Sequence, residues 1–245
     1  MAGGGSNGGS NGGGTAYGIG IGPGDPDLIT LKAHRLLQSA PVVAFPAPET
    51  GDSLARAIAA PHIADGKIEI AIRMPMLVDR FPAKEVYRQA AQDIGAHLAA
   101  GRDVAVLCEG DPFFYGSFMY LFARLADDHP VEVVPGVSSL TACAAAVAAP
   151  LASRNDVLAV IPAPLPADAI AARLAAVEAA AIIKIGRHFA KVRDVLRDMD
   201  LADDARYIEH ATMRNQRILP LHDVRDDGAP YFSMILVHRR GEAWQ

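Results

Sequence analysis

From Ala16 to about residue 200 the chain alternates short apolar runs with stretches of helical period, and this constrains the fold more than any other feature. Strand, helix and strand in strict turn bury their apolar faces in a largely parallel sheet with helices on both sides. Residues 16–22, 42–45, 68–72, 104–108 and 131–134 read as strands, with helices over 28–40, 53–60, 83–100, 116–126 and 139–148. Leu28, Leu31, Leu36 and Leu37 form one apolar stripe, and Gly101 stands at the C-terminal cap of the long helix. Pro150 marks a boundary, giving an N-terminal α/β domain over 15–149 and a C-terminal one over 150–245. In the second, strands at 157–161 and 181–185 and helices at 167–179 and 189–199 precede three strands, 207–211, 217–221 and 231–238, with no helix between them. That run predicts a mixed sheet ending in hairpins.

The 245 residues suffice for two cores, and 51% apolar against 21% charged residues excludes a disordered chain. A net charge of −5 argues against the sequence-independent grip on phosphates that nucleic-acid binding demands, so no nucleic-acid partner is expected. The longest apolar stretch, 140–152, is alanine-rich and broken by Pro150, so no membrane span is expected. Cys108 and Cys143 lie in apolar runs and read as buried thiols of a cytoplasmic protein. Residues 1–14, nearly all Gly, Ser and Asn, read as a flexible tail or an expression scar outside the fold. The eight histidines show no pair at i, i+4, so no metal site is expected. Lys84, Glu85, Arg88 and Asp93 read as the solvated face of a helix.

Gly18, Gly20, Gly22 and Gly24 alternate where the first strand meets the first helix, at the edge where a parallel sheet places ligands. The dinucleotide fingerprint is absent, because its third glycine falls on Pro23, Asp25 or Asp27. A P-loop is absent too, since Asp25-Pro26-Asp27 stands where Lys-Ser/Thr would close it. Two readings remain: a tight turn with Asp25 or Asp27 capping the helix, or a backbone surface that a bulky ligand approaches closely. A second Gly-Asp-Pro, 110–112, follows the strand 104–108 with an aromatic flank, Phe113-Phe114-Tyr115. It reads as a helix cap with a packing cluster or as a cleft with one carboxylate on an apolar floor. Pro135-Gly136-Val137-Ser138-Ser139 supplies backbone donors and hydroxyls at a further strand end. Three such loops without a basic residue point to a small zwitterionic ligand.

The string from Tyr17 to Ala33 (YGIGIGPGDPDLITLKA), Glu109 to Ser117 (EGDPFFYGS) and Pro135 to Ser139 (PGVSS) together resemble the tetrapyrrole methylases of cobalamin and sirohaem synthesis, over about 16–240. The stretch 113–120, Lys184-Ile-Gly-Arg187 and Tyr231-Phe-Ser-Met234 resemble the branch acting on C-20. The resemblance implies a homodimer, S-adenosylmethionine held in a cleft between two α/β domains, and methylation of the C-20 meso carbon of precorrin-2 to give precorrin-3A in cobalamin synthesis. By position it implies cofactor contacts at Pro23, Glu109, Gly110, Asp111, Phe114, Ser138, Ser139, Ile185, Ala211 and Ser233, and substrate contacts at Gly22, Gly24, Tyr115, Arg187 and His188. Phe45-Pro46 stands where related methylases carry Tyr-Asp, with the Asp proposed as a base, so no catalytic residue is assigned. Alternatives are a sister methylase acting at another carbon or on a cobalt-containing substrate, and a non-catalytic nucleotide- or haem-binding module. A tetrapyrrole with eight carboxylates needs local cations, and Arg73, Arg154, Arg187, His188 and Arg214 are the candidates near strand ends.

Overall fold

A computed structural model describes residues 13–74, 81–225 and 229–239. The tail expected over 1–14 lies outside the described residues through position 12, and the Gly14 N–H donates to the Leu98 carbonyl at 2.8 Å. The chain divides into two compact units, Met1–Val137 and Ser138–Gln245.

The first unit is a five-stranded sheet of β1 (Ala16–Gly20), β2 (Val42–Pro48), β3 (Ile68–Met74), β4 (Val104–Cys108) and β5 (Val131–Val134) in the order β3-β2-β4-β1-β5. Every pairing is parallel. Helices α1 (Leu31–Ser39), α2 (Leu54–Ala59), α3 (Phe81–Ala99) and α4 (Phe118–Leu125) supply the crossovers. Ala33, Leu37, Ala55 and Ile58 pack with Ile19, Val43, Ala105 and Leu107 on one face. Tyr87, Ile94, Leu98, Phe118 and Leu121 pack with Val42, Ala44, Val104 and Val106 on the other. The alternation of β4 residues between the two clusters is the period of two that the pleat imposes. The chain leaves β1 and β2 toward α1 and α2 but leaves β4 toward α4, so the direction of winding reverses between adjacent β1 and β4. A doubly wound sheet opens its ligand crevice at such a reversal.

The helix expected over 28–40 is two pieces. Asp25 Oδ1 accepts the Asp27 N–H (2.9 Å) and starts a 3₁₀ turn, Pro26–Leu28. Ile29 and Thr30 are extended, and Thr30 Oγ1 caps α1 by accepting the Ala33 N–H at 3.2 Å. Of the expected stripe Leu37 is buried, whereas Leu31, at the first position of the re-started helix, is 78% exposed. Gly101 has φ +74° and its N–H donates to Leu98, which terminates α3 as expected. Lys84, Glu85, Arg88 and Asp93 are exposed.

In the second unit β6 (Leu158–Pro162), β7 (Ala179–Ile183), β8 (Ala205–Glu209), β9 (Arg217–Leu219) and β10 (Ser233–His238) follow the order β6-β7-β10-β8-β9, with β6–β7 parallel and the other pairings antiparallel. The mixed sheet is as expected, but only β8 and β9 are sequential antiparallel neighbours. β10 returns to the middle, because Ile235 and Val237 on one face and Met234 and Leu236 on the other are all buried. Helices α6 (Ala167–Ala175) and α7 (Phe189–Asp198) cover the first face; on the second, Cys143 and Ala144 of α5 (Ser139–Ala146) pack against Ala181, Ile183 and Ile208. That packing places α5 in the second unit, so the division falls ahead of Pro150.

Candidate functional site

At the carboxyl edge of the first sheet the loops after β1, β4 and β5 meet through backbone. Gly22 and Gly110 form an isolated antiparallel bridge, the Gly110 N–H donating to the Gly22 carbonyl at 2.8 Å and the Gly22 N–H returning at 3.3 Å. A methyl added at Gly136 would lie 2.1 Å from the Gly110 oxygen, and one at Gly20 2.5 Å from the Gly136 Cα. Gly20 and Gly136 are glycines because neighbouring backbone leaves no room for a Cβ, and Gly22 and Gly110 because each takes a positive φ, +79° and +67°. Asp111 binds the junction. Its Oδ1 accepts the N–H groups of Phe113 (2.9 Å) and Phe114 (3.1 Å), and its Oδ2 accepts that of Gly136 (3.0 Å). The carboxylate expected to meet the cofactor directly is thus engaged with three backbone donors, and it fixes the loop after β4 to the loop after β5.

Pro23 is buried beside Gly22, which has φ +79°, and Gly24 is half-buried. Glu109 is half-buried at the end of β4, on the α1/α2 side of the sheet by strand alternation. Burial pushes its carboxyl above the ordinary glutamate range, partly offset by hydrogen bonds from its own backbone and that of Ala55. Phe114 is half-buried and meets Tyr115 edge-on at 5.2 Å, while Tyr115 is 47% exposed at φ +55°.

In the second unit Ile185, Ala211 and Ser233 are buried and lie at one edge, past β7, past β8 and at the start of β10, three adjacent strands. Ser233 Oγ donates to the Pro230 carbonyl at 2.7 Å. Ser138 Oγ caps α5 by accepting the Leu140 N–H at 3.2 Å, and Ser139 is exposed. Backbone strain marks the same edge: Lys184, His210 and Thr212 take φ of +58°, +50° and +67°, each in a loop leaving β7 or β8. Non-glycine residues rarely adopt this region, and β-branched Thr212 least readily.

The cation candidates separate. Arg187 and Arg214 are exposed on this edge. His188 is held toward its neutral form by burial, with Lys191 and Arg187 adding repulsion, which weakens it as a carboxylate partner. Arg154 precedes β6, which runs parallel to β7, and so lies at the edge opposite to Ile185, Ala211 and Ser233. In the first unit Arg73 donates to the Pro48 carbonyl at 3.0 Å and is occupied in holding its loop.

Two arrangements escaped the sequence reading. Glu209, 4% exposed at the end of β8, accepts from the Tyr207 hydroxyl at 3.1 Å and pairs with Arg217 at 2.9 Å. Burial, then Glu209, push the Tyr207 hydroxyl pKa well up. A glutamate ending an apolar strand was the available signal. The second is a contact of His34, His62 and Pro26, whose positions are too far apart in sequence to suggest it. Cys108 and Cys143 are buried free thiols, pushed up by burial to about 11 and about 12, and are therefore poor nucleophiles.

The loops after β1, β4 and β5 carry carboxylates and backbone groups with no Lys or Arg among 21–30, 109–117 and 135–138. That set suits a ligand with an ammonium and a sulfonium and gives no counter-charge to a phosphate. Among the described residues there is no group of three His, Cys, Asp or Glu able to hold a metal, and no helix long and apolar enough to cross a membrane.

Residues 15–224 match the profile of the Tetrapyrrole (Corrin/Porphyrin) Methylases. A cobalamin biosynthesis protein CobIJ of Mycobacterium tuberculosis is 41% identical over 90% of this chain, which spans only 45% of that protein's length. A precorrin-2 C(20)-methyltransferase of a Sinorhizobium species is 40% identical, covering 90% of this chain and 93% of that one. Among solved structures, a uroporphyrin-III C-methyl transferase of Thermus thermophilus complexed with S-adenyl homocysteine superposes with a TM-score of 0.67 at 26% identity, over 92% of each chain.

Proposed function

Since the chain belongs to the tetrapyrrole (corrin/porphyrin) methylases, we propose that it transfers a methyl group from S-adenosylmethionine to C-20 of precorrin-2, giving precorrin-3A. One observation carries the choice of C-20: near-complete mutual coverage at 40% identity with a relative of that name. S-adenosylmethionine supplies an electrophilic methyl on a sulfonium. Transfer would form the C–C bond at C-20 as the C–S bond breaks, with S-adenosylhomocysteine leaving and the C-20 proton passing to solvent water.

The chain's own contribution is positioning and charge. Asp111 fixes two strand-end loops so that their backbone donors stand in place before a ligand arrives, which removes reorganisation from the reaction step. Glu109 carries a carboxyl whose charged form is disfavoured by burial; a cation beside it offsets that cost, so the site rewards a positive ligand over a neutral one. Pro23, Gly110 and Phe114 are proposed as the cofactor contacts of the first unit; within the second unit, described by itself, the proposed contacts are Ile185, Ala211 and Ser233, and Ser138 and Ser139 at the start of α5. Gly22, Gly24 and Tyr115 present backbone and an aromatic ring to the macrocycle, and Arg187 pairs with its carboxylates. Buried reduced thiols at Cys108 and Cys143 support a cytoplasmic setting, and the family resemblance supports a homodimer.

The test is methyl transfer from labelled S-adenosylmethionine to precorrin-2, read by mass spectrometry and carbon NMR. Label at C-20 is expected, and label at another carbon overturns the assignment. A parallel reaction with cobalt-containing precorrin-2 decides the metal state. Calorimetry should show binding of S-adenosylhomocysteine and none of ATP or NAD; the reverse pattern would indicate a nucleotide-binding module.

A further inference from the structure

The Gly22–Pro26 turn is joined to other segments at both ends. Upstream, Gly22 bridges to Gly110. Downstream, the Pro26 carbonyl lies 3.1 Å from Nε2 of His62, in the 3₁₀ turn Ala60–His62 after α2. His62 Nδ1 lies 3.1 Å from His34 Nδ1 on α1, the two rings meeting edge-on with an interplanar angle of 87°. One helical turn along, Gln38 Nε2 donates to the His62 carbonyl at 2.8 Å. His34 and Gln38 stand four residues apart, on one face of α1, and hold His62 by ring and backbone together.

The order of protons along this chain follows from its last acceptor. A carbonyl can only accept, so His62 carries its hydrogen on Nε2. In the neutral pair His62 Nδ1 is then a lone pair, and His34 donates to it from Nδ1. We propose that His62, oriented by His34, is a positioning residue for the Gly22–Pro26 turn: it clamps the Pro26 carbonyl and so sets the path of Pro23 and Gly24 between their two anchors. The proposal rests on the reading of Gly22, Pro23 and Gly24 as ligand-facing surface. It assigns their geometry to two histidines on the neighbouring helical layer, neither of which belongs to a strand-end loop.

Long-range proton–nitrogen NMR of the ¹⁵N-labelled protein at mildly alkaline pH reads the tautomers directly. His62 is expected as the Nε2–H form and His34 as the Nδ1–H form. Calorimetry with S-adenosylhomocysteine then follows three variants. An asparagine amide reaches only to where Nδ1 stood, so His62→Asn and His62→Ala should each weaken binding by about fivefold or more, the scale of one lost hydrogen bond. A glutamine amide reaches the Nε2 position, so His62→Gln should recover affinity to within about twofold of wild type, a rescue that loss of bulk packing would not give. His34 in the Nε2–H form, or wild-type affinity in both the Asn and Ala variants, overturns the proposal. Failure of the wild-type protein to bind S-adenosylhomocysteine would instead overturn the methyltransferase reading, with the tautomers still decided by NMR.

Discussion

Replacing Asp111 by asparagine isolates one contact in the loop junction. The carboxylate takes two donors on Oδ1, from Phe113 and Phe114, and one on Oδ2, from Gly136. Asparagine keeps one acceptor oxygen. If that oxygen stays with Phe113 and Phe114, the amide nitrogen faces the Gly136 N–H, and donor meets donor. The loss is one charge-assisted bond, about 1.5–3 kcal/mol when the abandoned donor is buried, and nearer the lower figure here because Gly136 is half-buried and water can replace part of it. Asp111→Ala also removes the turn at Phe113 and Phe114, adding about 1 kcal/mol on the scale of a lost helix cap. The expected order is therefore wild type, Asn, Ala, separated by roughly 1.5 and 1 kcal/mol in urea unfolding. S-adenosylhomocysteine affinity should fall with stability, by about tenfold in the Ala variant, because the loops lose their mutual registration. A direct pairing of the carboxylate with the cofactor's ammonium would behave differently: both variants would lose affinity equally while their unfolding curves matched wild type. An Asn variant as stable as wild type to within about 0.5 kcal/mol would refute the tie through Gly136.

Glu109 gives a prediction in pH. Its folded carboxyl holds its proton more tightly than the unfolded chain does, so its contribution turns destabilising as pH rises from the ordinary glutamate range through the raised folded value. Glu109→Gln should accordingly melt higher than wild type near pH 8 and lose that advantage near pH 4; a difference constant with pH would show that burial does not govern this group. Arg187→Ala should raise the KM for the tetrapyrrole severalfold with S-adenosylhomocysteine affinity unchanged, and added salt should shrink the gap between variant and wild type. Equal KM values would remove Arg187 from the substrate surface.

The fold was legible where one periodicity ran unopposed. The fully apolar β4 is buried on both faces as its composition requires, and the strand–helix alternation predicted a parallel sheet without any contact being known. What escaped was closure between distant segments. Pro26, Asp25 and Thr30 each carry a local signal, yet whether they make one helix or a 3₁₀ turn followed by a new helix depends on where Ile29 is drawn by the core. The return of β10 to the middle of its sheet depends on burial of both its faces, which a run of apolar residues shares with an edge strand. At the site, the glycines and Gly-Asp-Pro turns announced themselves, but the partner of Asp111 lies 25 residues away and that of Pro26 lies 36 away. No spacing rule connects such pairs before the sheet brings strand ends together.

The crossing of Gly20, Gly110 and Gly136 also decides what can be exchanged between enzymes of this architecture. Backbone lies on backbone there, so each loop's path is defined by the other two and no side chain is available to absorb a mismatch. A graft of the loop after β4 alone would carry in a path shaped for absent neighbours, even with every substrate-facing residue correctly chosen. The smallest transplantable piece is all three loops taken together, and residues that distinguish one substrate from another are free to vary only outside that crossing.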